Sequence, residues 1–114
     1  MTHIIDGLQC GHFDRESFTA LQSAGVSGVV VTCGFWEGTL ESLDSLGRWR
    51  DLIAENEDVT SIALTADDIE KAADAGRTAA ILGYQNANLF EGRIRLVEMF
   101  AELGVRVNAV LPGL

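Results

Sequence analysis

One phrase recurs three times along this chain: an amphipathic helix pattern, a glycine, then a β-branched or apolar strand pattern. Phe18 to Ala24 precede Gly25 and Val29-Val30-Val31; Ile69 to Ala75 precede Gly76 and Thr78 to Leu82; Leu96 to Leu103 precede Gly104 and Val105 to Val110. A glycine just past a helix accepts the left-handed conformation that ends the helix and turns the chain back toward a sheet. Strand runs that are almost continuously apolar indicate burial on both faces, as in a parallel sheet covered by helices.

Start signals agree with these stops. Asp14 precedes the first helix, and Thr65 with Asp68 resembles a capping box with Asp in place of the usual Glu or Gln. A longer helix, roughly Thr39 to Asn56, places Leu40, Leu43, Leu46, Trp49, Leu52 and Ile53 at three- and four-residue spacing, which predicts a broad core face. Val59 to Leu64 reads as a short extra strand or an extended connector. The order is strand, helix, strand, helix, connector, helix, strand, helix, strand, which by the alternation rule is an α/β protein with right-handed crossovers. No Pro- or Ser-rich linker divides it, so residues 1–114 form one domain. An open doubly wound sheet and the opening half of an eight-fold barrel read alike here. A barrel typically takes about 250 residues, so this chain would supply about four of its eight strands.

Seventeen acidic against eight basic residues give a net charge of -9. A phosphate backbone or an anionic bilayer is repelled by that field unless a local basic patch overrides it, and Arg93, Arg95 and Arg106 are too few to do so. No apolar run is long enough to span a membrane, and Met1-Thr2-His3 leads directly into a strand pattern without a signal segment. The expectation is a cytoplasmic protein with no nucleic-acid or membrane partner. Cys10 and Cys33 lack the C-x-x-C spacing of a zinc ribbon, and two buried free thiols are the plain reading.

In parallel α/β architecture the reactive groups gather beyond the carboxyl ends of the strands. That rule selects Asp6, Gln9, Cys10 and His12 after the first strand, and Thr32, Cys33, Trp36 and Glu37 after the second. It selects Tyr84, Gln85, Asn86 and Asn88 after the third long strand. Trp36, within Gly34-Phe35-Trp36-Glu37-Gly38, is a pocket wall or a packing residue. Glycine clusters at 7–11 and 25–28 lack both a P-loop lysine and the full dinucleotide fingerprint. His3 stands at the start of the first strand, the wrong end for a site, and surface or loop packing accounts for both His3 and His12.

Four segments in order, Ile4-Ile5-Asp6-Gly7, Thr65-Ala66-Asp67-Asp68-Ile69, Gly76 to Asn86 and Leu103-Gly104-Val105-Arg106-Val107, resemble the amino-terminal half of the membrane dipeptidase (renal dipeptidase-like) metallopeptidase family. The resemblance extends over nearly the whole chain. It implies a partial TIM-type (β/α)8 barrel, two zinc ions and the hydrolysis of dipeptides, with a small peptide-like substrate. The family's first strand ends in Asp-Gly-His-x-Asp, whose His and second Asp are ligands; Leu8 and Cys10 match them here. Its third strand ends in Glu-Gly-Gly, whose Glu bridges the metals; Gln85 and Asn86 match the first two of these. Leucine cannot donate to zinc, and a neutral amide is a poor substitute for a bridging carboxylate. The family's fourth strand leads into Leu-Thr-His, where this sequence reads Val110-Leu111-Pro112-Gly113-Leu114.

Three readings follow. The chain is the amino-terminal half of a dipeptidase-like hydrolase with altered metal-ligand positions at Cys10 and Gln85, and inactive alone. Or it is a non-catalytic half-barrel that pairs with itself or with a complementing chain, since an open sheet exposes edges that natural proteins cover. Or the reading frame is interrupted after Val110. Different chemistry at the same place would use Cys10 and Cys33, with Gln85 nearby, as a soft metal site or a nucleophilic thiol.

Overall fold

The computed structural model describes residues 3–9 and 13–109. In chain order the elements are β1 (Ile5–Gln9), α1 (Arg15–Ser23), β2 (Gly28–Thr32), α2 (Thr39–Glu55), β3 (Thr60–Ile62), α3 (Ala66–Asp74), β4 (Thr78–Tyr84), a 3-10 turn (Asn88–Phe90), α4 (Ile94–Glu102) and β5 (Val105–Asn108). Helix ends follow local chemistry. The Asp14 carboxylate accepts the Ser17 backbone N–H at 2.9 Å and opens α1. At α3, Thr65 Oγ1 accepts the Asp68 N–H at 3.2 Å while Asp68 Oδ2 accepts the Thr65 N–H at 3.1 Å, which is the reciprocal capping box expected from the sequence. Both helices therefore start at their caps, ahead of the apolar pattern. Gly25, Gly76 and Gly104 end their helices with φ of 79°, 75° and 110°, a region that side chains with a Cβ rarely enter.

All strand pairs are parallel. The sheet runs β1-β2-β4, and the far edge of β4 is shared by two strands: β3 pairs with its first half (Thr60↔Thr78, Ile62↔Ala80) and β5 with its second (Leu82↔Val105, Tyr84↔Asn108). The described sheet thus has five strands rather than about four, because the Val59–Leu64 connector contains β3. The Thr60 hydroxyl donates to the Thr78 carbonyl at 2.8 Å and pins that register.

Alternation along β4 divides the molecule into two layers, since successive side chains of a strand point to opposite faces. Ala80, Leu82 and Tyr84 join Val29, Val31, Phe18, Leu46, Ile53 and Phe100 in the main core, which α1, α2 and α4 cover. Ala79 and Ile81 pack instead with Ala63, Ile69 and Ala72, so α3 lies on the opposite face at the amino-terminal half of the sheet. Handedness explains the switch. The β3-to-β4 connection steps back toward β2, against the direction of the other crossovers, and a right-handed crossover then falls on the other side.

The α2 stripe is shifted from its sequence pattern. Leu46 and Ile53 are buried and Trp49 and Leu52 pack beside them, but Leu40 is 80% and Leu43 38% exposed, while Ser42 is buried. The buried positions of α2 are thus Ser42, Leu46 and Ile53, and the Tyr84 phenol donates to the Ser42 carbonyl at 2.7 Å.

Phe18 is fully buried and touches Phe13 at a ring-centroid distance of 5.4 Å. Phe18→Ala is expected to destabilise the fold by about 3–5 kcal/mol in urea denaturation. A loss under about 1 kcal/mol would contradict this account of the core.

Candidate functional site

The carboxyl ends of β2 and β4 lie side by side and are stitched together. The Cys33 backbone N–H donates to the Gly83 carbonyl at 2.7 Å, and the Gln85 N–H to the Gly34 carbonyl at 3.1 Å. Gln85 Nε2 reaches Thr32 Oγ1 at 3.3 Å, so the first polar side chains beyond two neighbouring strands engage each other. The following loops continue the seam: Asn88 Nδ2 donates to the Trp36 carbonyl at 3.1 Å and the Thr39 hydroxyl to the Leu89 carbonyl at 2.6 Å. Asn86 Oδ1 accepts the Asn88 N–H at 3.0 Å and shapes the turn.

Two carboxylates brace this rim. Glu37 Oε2 accepts the Phe35 N–H at 2.6 Å, and this backbone bond is the leading cause that holds the Glu37 carboxyl below its ordinary range. Glu91, whose φ of 48° is unusual for a residue with a side chain, accepts the Thr39 N–H at 2.9 Å. It thereby caps α2, whose own N-cap residue is Gly38 and has no side chain to do so. Hydrogen bonds from Thr39 hold the Glu91 carboxyl low. Gly34 is a close-approach glycine: a Cβ there would lie 3.0 Å from Glu37 Oε2 and from the Tyr84 ring.

The residues selected from the sequence divide by face. Thr32 and Gln85 meet at the strand ends. Trp36 is 66% exposed on the rim, and its carbonyl accepts from Asn88. Cys33 and Tyr84 belong to the helix-covered core. Burial pushes the Cys33 thiol up to about 12, with the Gly83 backbone bond opposing, and burial likewise raises the Tyr84 phenol. The Cys33 carbonyl accepts the Ser45 hydroxyl. Asp6 lies within β1, level with Val29. One extra residue between Asp6 and Gln9 puts the Gln9 backbone in register with Val31. His3 Nδ1 is 3.2 Å from Ser27 Oγ, at the amino-terminal end of the sheet. Cys10 and His12 lie outside the described residues, as does the stretch from Val110 onward.

Two participants were not selected from the sequence. Asn108 ends β5 level with Tyr84, and its Oδ1 is buried without a hydrogen-bond partner among the described residues. The strand-end rule, applied to the last strand as well, would have found it. Glu91 carries no local signal, because the helix it caps begins 52 residues earlier. A cleft of about 230 Å³ lined by Gln22, Val26, Ser27, Ala73 and Arg77 opens at the other end of the sheet. In such folds that end serves stability rather than chemistry.

The sequence model of the membrane dipeptidase family (peptidase family M19) matches residues 16–111. The chain belongs to this family. An amidohydrolase from Pseudomonas aeruginosa is 33% identical and superposes with a TM-score of 0.91, over 93% of this chain and 33% of its own. The dipeptidase AC, a metallopeptidase of family M19, has a TM-score of 0.76 at 12% identity, over 93% of this chain and 41% of its own. The probable dipeptidase PvdM from Pseudomonas aeruginosa has a TM-score of 0.74 at 13% identity, over 93% of this chain and 34% of its own. No curated protein sequence matches. The chain therefore spans about a third of the length of the solved structure it resembles at 33% identity, and its fold is a partial TIM-type barrel.

A family of metallopeptidases raises the question of metal. Among the described residues no three His, Cys, Asp or Glu side chains converge. Gln85 presents a neutral amide engaged with Thr32, a weaker zinc donor than a carboxylate. Among the described residues no helix is long and apolar enough to cross a membrane.

Burial keeps the Cys33 thiol protonated near neutral pH, so it should resist thiol reagents in the native state. In a Cys10→Ser background, Ellman's reagent at about pH 8 is expected to label Cys33 only after unfolding. Rapid labelling of the folded protein would refute this.

Proposed function

We propose that this chain is the amino-terminal part of a cytoplasmic dipeptidase-type hydrolase with altered metal-ligand positions, and that it is inactive alone. The family's reaction is the hydrolysis of dipeptides or other small amides at the carboxyl ends of the barrel strands. The observation that carries the reading is Gln85: the residue that the resemblance matches to the family's bridging Glu is an uncharged amide turned onto the Thr32 hydroxyl at the end of β4. A carboxylate there would bring a full negative charge and two acceptor oxygens, whereas the amide brings one oxygen and a donor. With Leu8 and Cys10 at the first-strand positions, the exchange extends to both strand ends that bear ligands in this part of the family. What remains is a rim suited to orienting a small polar ligand: the exposed Trp36 face, the Gln85 and Asn86 amides and the Asn108 carbonyl oxygen. A small peptide-like molecule is the substrate class this lining suits, with no role for nucleic acid or membrane.

A second reading is favoured by a separate observation. The β1 edge and the β3–β5 edge have no strand partner among the described residues. Apolar side chains stand exposed beside both, Ile4 and Ile5 at one and Ile94 and Val97 at the other. These features suit a non-catalytic half-barrel that completes itself against another chain.

Zinc content by elemental analysis and hydrolysis of a dipeptide panel test the first reading. The purified chain is expected to hold substoichiometric zinc and to show no turnover. The triple variant Leu8→His, Cys10→Asp, Gln85→Glu should raise zinc toward stoichiometric occupancy. Stoichiometric zinc with turnover in the unaltered chain would overturn the proposal.

A further inference from the structure

We propose that Glu91 is a positioning residue of the rim: by capping α2 from the loop beyond β4, it couples that loop to the Trp36 loop, so that both meet a ligand as one preset wall. This rests on the reading of the rim as a site for a small peptide-like molecule. Four observations carry it.

The first is how the two loops are anchored. Leu89, in the 85–93 loop, is buried in the main core, and Phe90 packs beside that core with its ring centroid 5.9 Å from that of Phe100. From Phe35 to Gly38 no side chain is buried: Phe35 and Glu37 are half-buried and Trp36 is exposed. A segment with few buried contacts of its own takes its position from what it is tied to.

The second is the ties. Asn88 Nδ2 donates to the Trp36 carbonyl at 3.1 Å, the Thr39 hydroxyl to the Leu89 carbonyl at 2.6 Å, and the Thr39 N–H to Glu91 Oε2 at 2.9 Å. They grip the chain at Trp36 and at Thr39. Between these points the loop folds on itself, because Glu37 Oε2 accepts the Phe35 N–H at 2.6 Å.

The third is the backbone at Glu91. With φ of 48° and 72°, Glu91 and Gly92 are two successive left-handed residues, a conformation that is costly for a residue with a Cβ. Glycine at position 91 would remove that cost, but it would also remove the carboxylate that reaches Thr39.

The fourth is the cap. Gly38 opens the 17-residue α2 with φ of -74° and ψ of -173° and no side-chain bond, in a conformation where Ser or Asp serves as an ordinary N-cap. The helix instead takes its carboxylate from the neighbouring loop, where the charge also meets the positive end of the helix dipole. A cap made at Gly38 would hold α2 alone. The cap made by Glu91 sets α2, Trp36 and the Gln85–Asn86 amides together, which spares a ligand the cost of ordering them.

Two variants separate capping from coupling. Glu91→Ala removes both and is expected to lower the folding equilibrium constant roughly fivefold in urea denaturation. Adding Gly38→Ser returns a local cap, since its Cβ would lie 3.3 Å from the Glu91 Oε2 that the first change removes. With fluorotryptophan at both tryptophans, fluorine NMR reads Trp36 against Trp49, which packs 5.5 Å from Phe13 and serves as the internal control. The double variant is expected to recover stability while its Trp36 resonance stays shifted or broadened and Trp49 is unchanged. A Trp36 resonance restored along with stability would make Glu91 a cap alone and overturn the proposal. Should the double variant not fold, Asn88→Ala leaves the α2 cap in place, and an unmoved Trp36 resonance there overturns it equally. Titration with glycyl-leucine tests the ligand: a Trp36 response weakened about fivefold in the double variant supports the positioning role. Equal responses in both proteins remove that role and keep the rim as a ligand site. No response in either, with Trp36 still shifted in the double variant, removes the peptide-like ligand and supports the coupling.

Discussion

β4 is paired on both edges and buried on both faces, and that double confinement governs the rest of the molecule. Thr78, Ala79 and Ala80 have no exposed surface, and Gly83 adds no side chain to the layer that holds the rim. Small residues let α3 approach from one side while α1, α2 and α4 cover the other. The strand's large side chains come in its second half: Leu82 and Tyr84 enter the main core, and Ile81 packs on the α3 side. Close packing leaves little tolerance for changes in volume along such a strand.

Tyr84 links this core to the chemistry. Its ring packs edge-on against Phe100 with centroids 5.8 Å apart, its hydroxyl holds the α2 backbone at Ser42, and its ring crowds Gly34. The neighbouring Gln85 is thereby aimed away from the core at Thr32. The rim beyond is held by backbone bonds and by Glu37 and Glu91, so a change in ligand chemistry at position 85 requires no change in the scaffold. This separation of scaffold from site is why one barrel fold can host different chemistries.

Much of this was legible in the residues. The Thr65–Asp68 capping box, the Asp14 cap and the three post-helical glycines act through neighbours a few positions away, and each is found in its expected place. The family was legible too, because its motifs sit on those same local elements. Other features were not. Leu40 and Leu43 have the right spacing for a core face yet stand exposed, since the start of α2 extends past the core that Leu46, Trp49, Leu52 and Ile53 reach. Glu91 caps a helix it does not belong to, and Cys33 sits at a strand end but turns into the core.

The sequence by itself determined the element order and the parallel sheet, because both depend on residue type and short-range spacing. Tertiary structure alone decided that β3 and β5 share one edge of β4, that α3 crosses to the opposite face, and that Gln85 meets Thr32. Those outcomes turn on crossover handedness and on contacts between residues far apart in the chain, which no local pattern encodes.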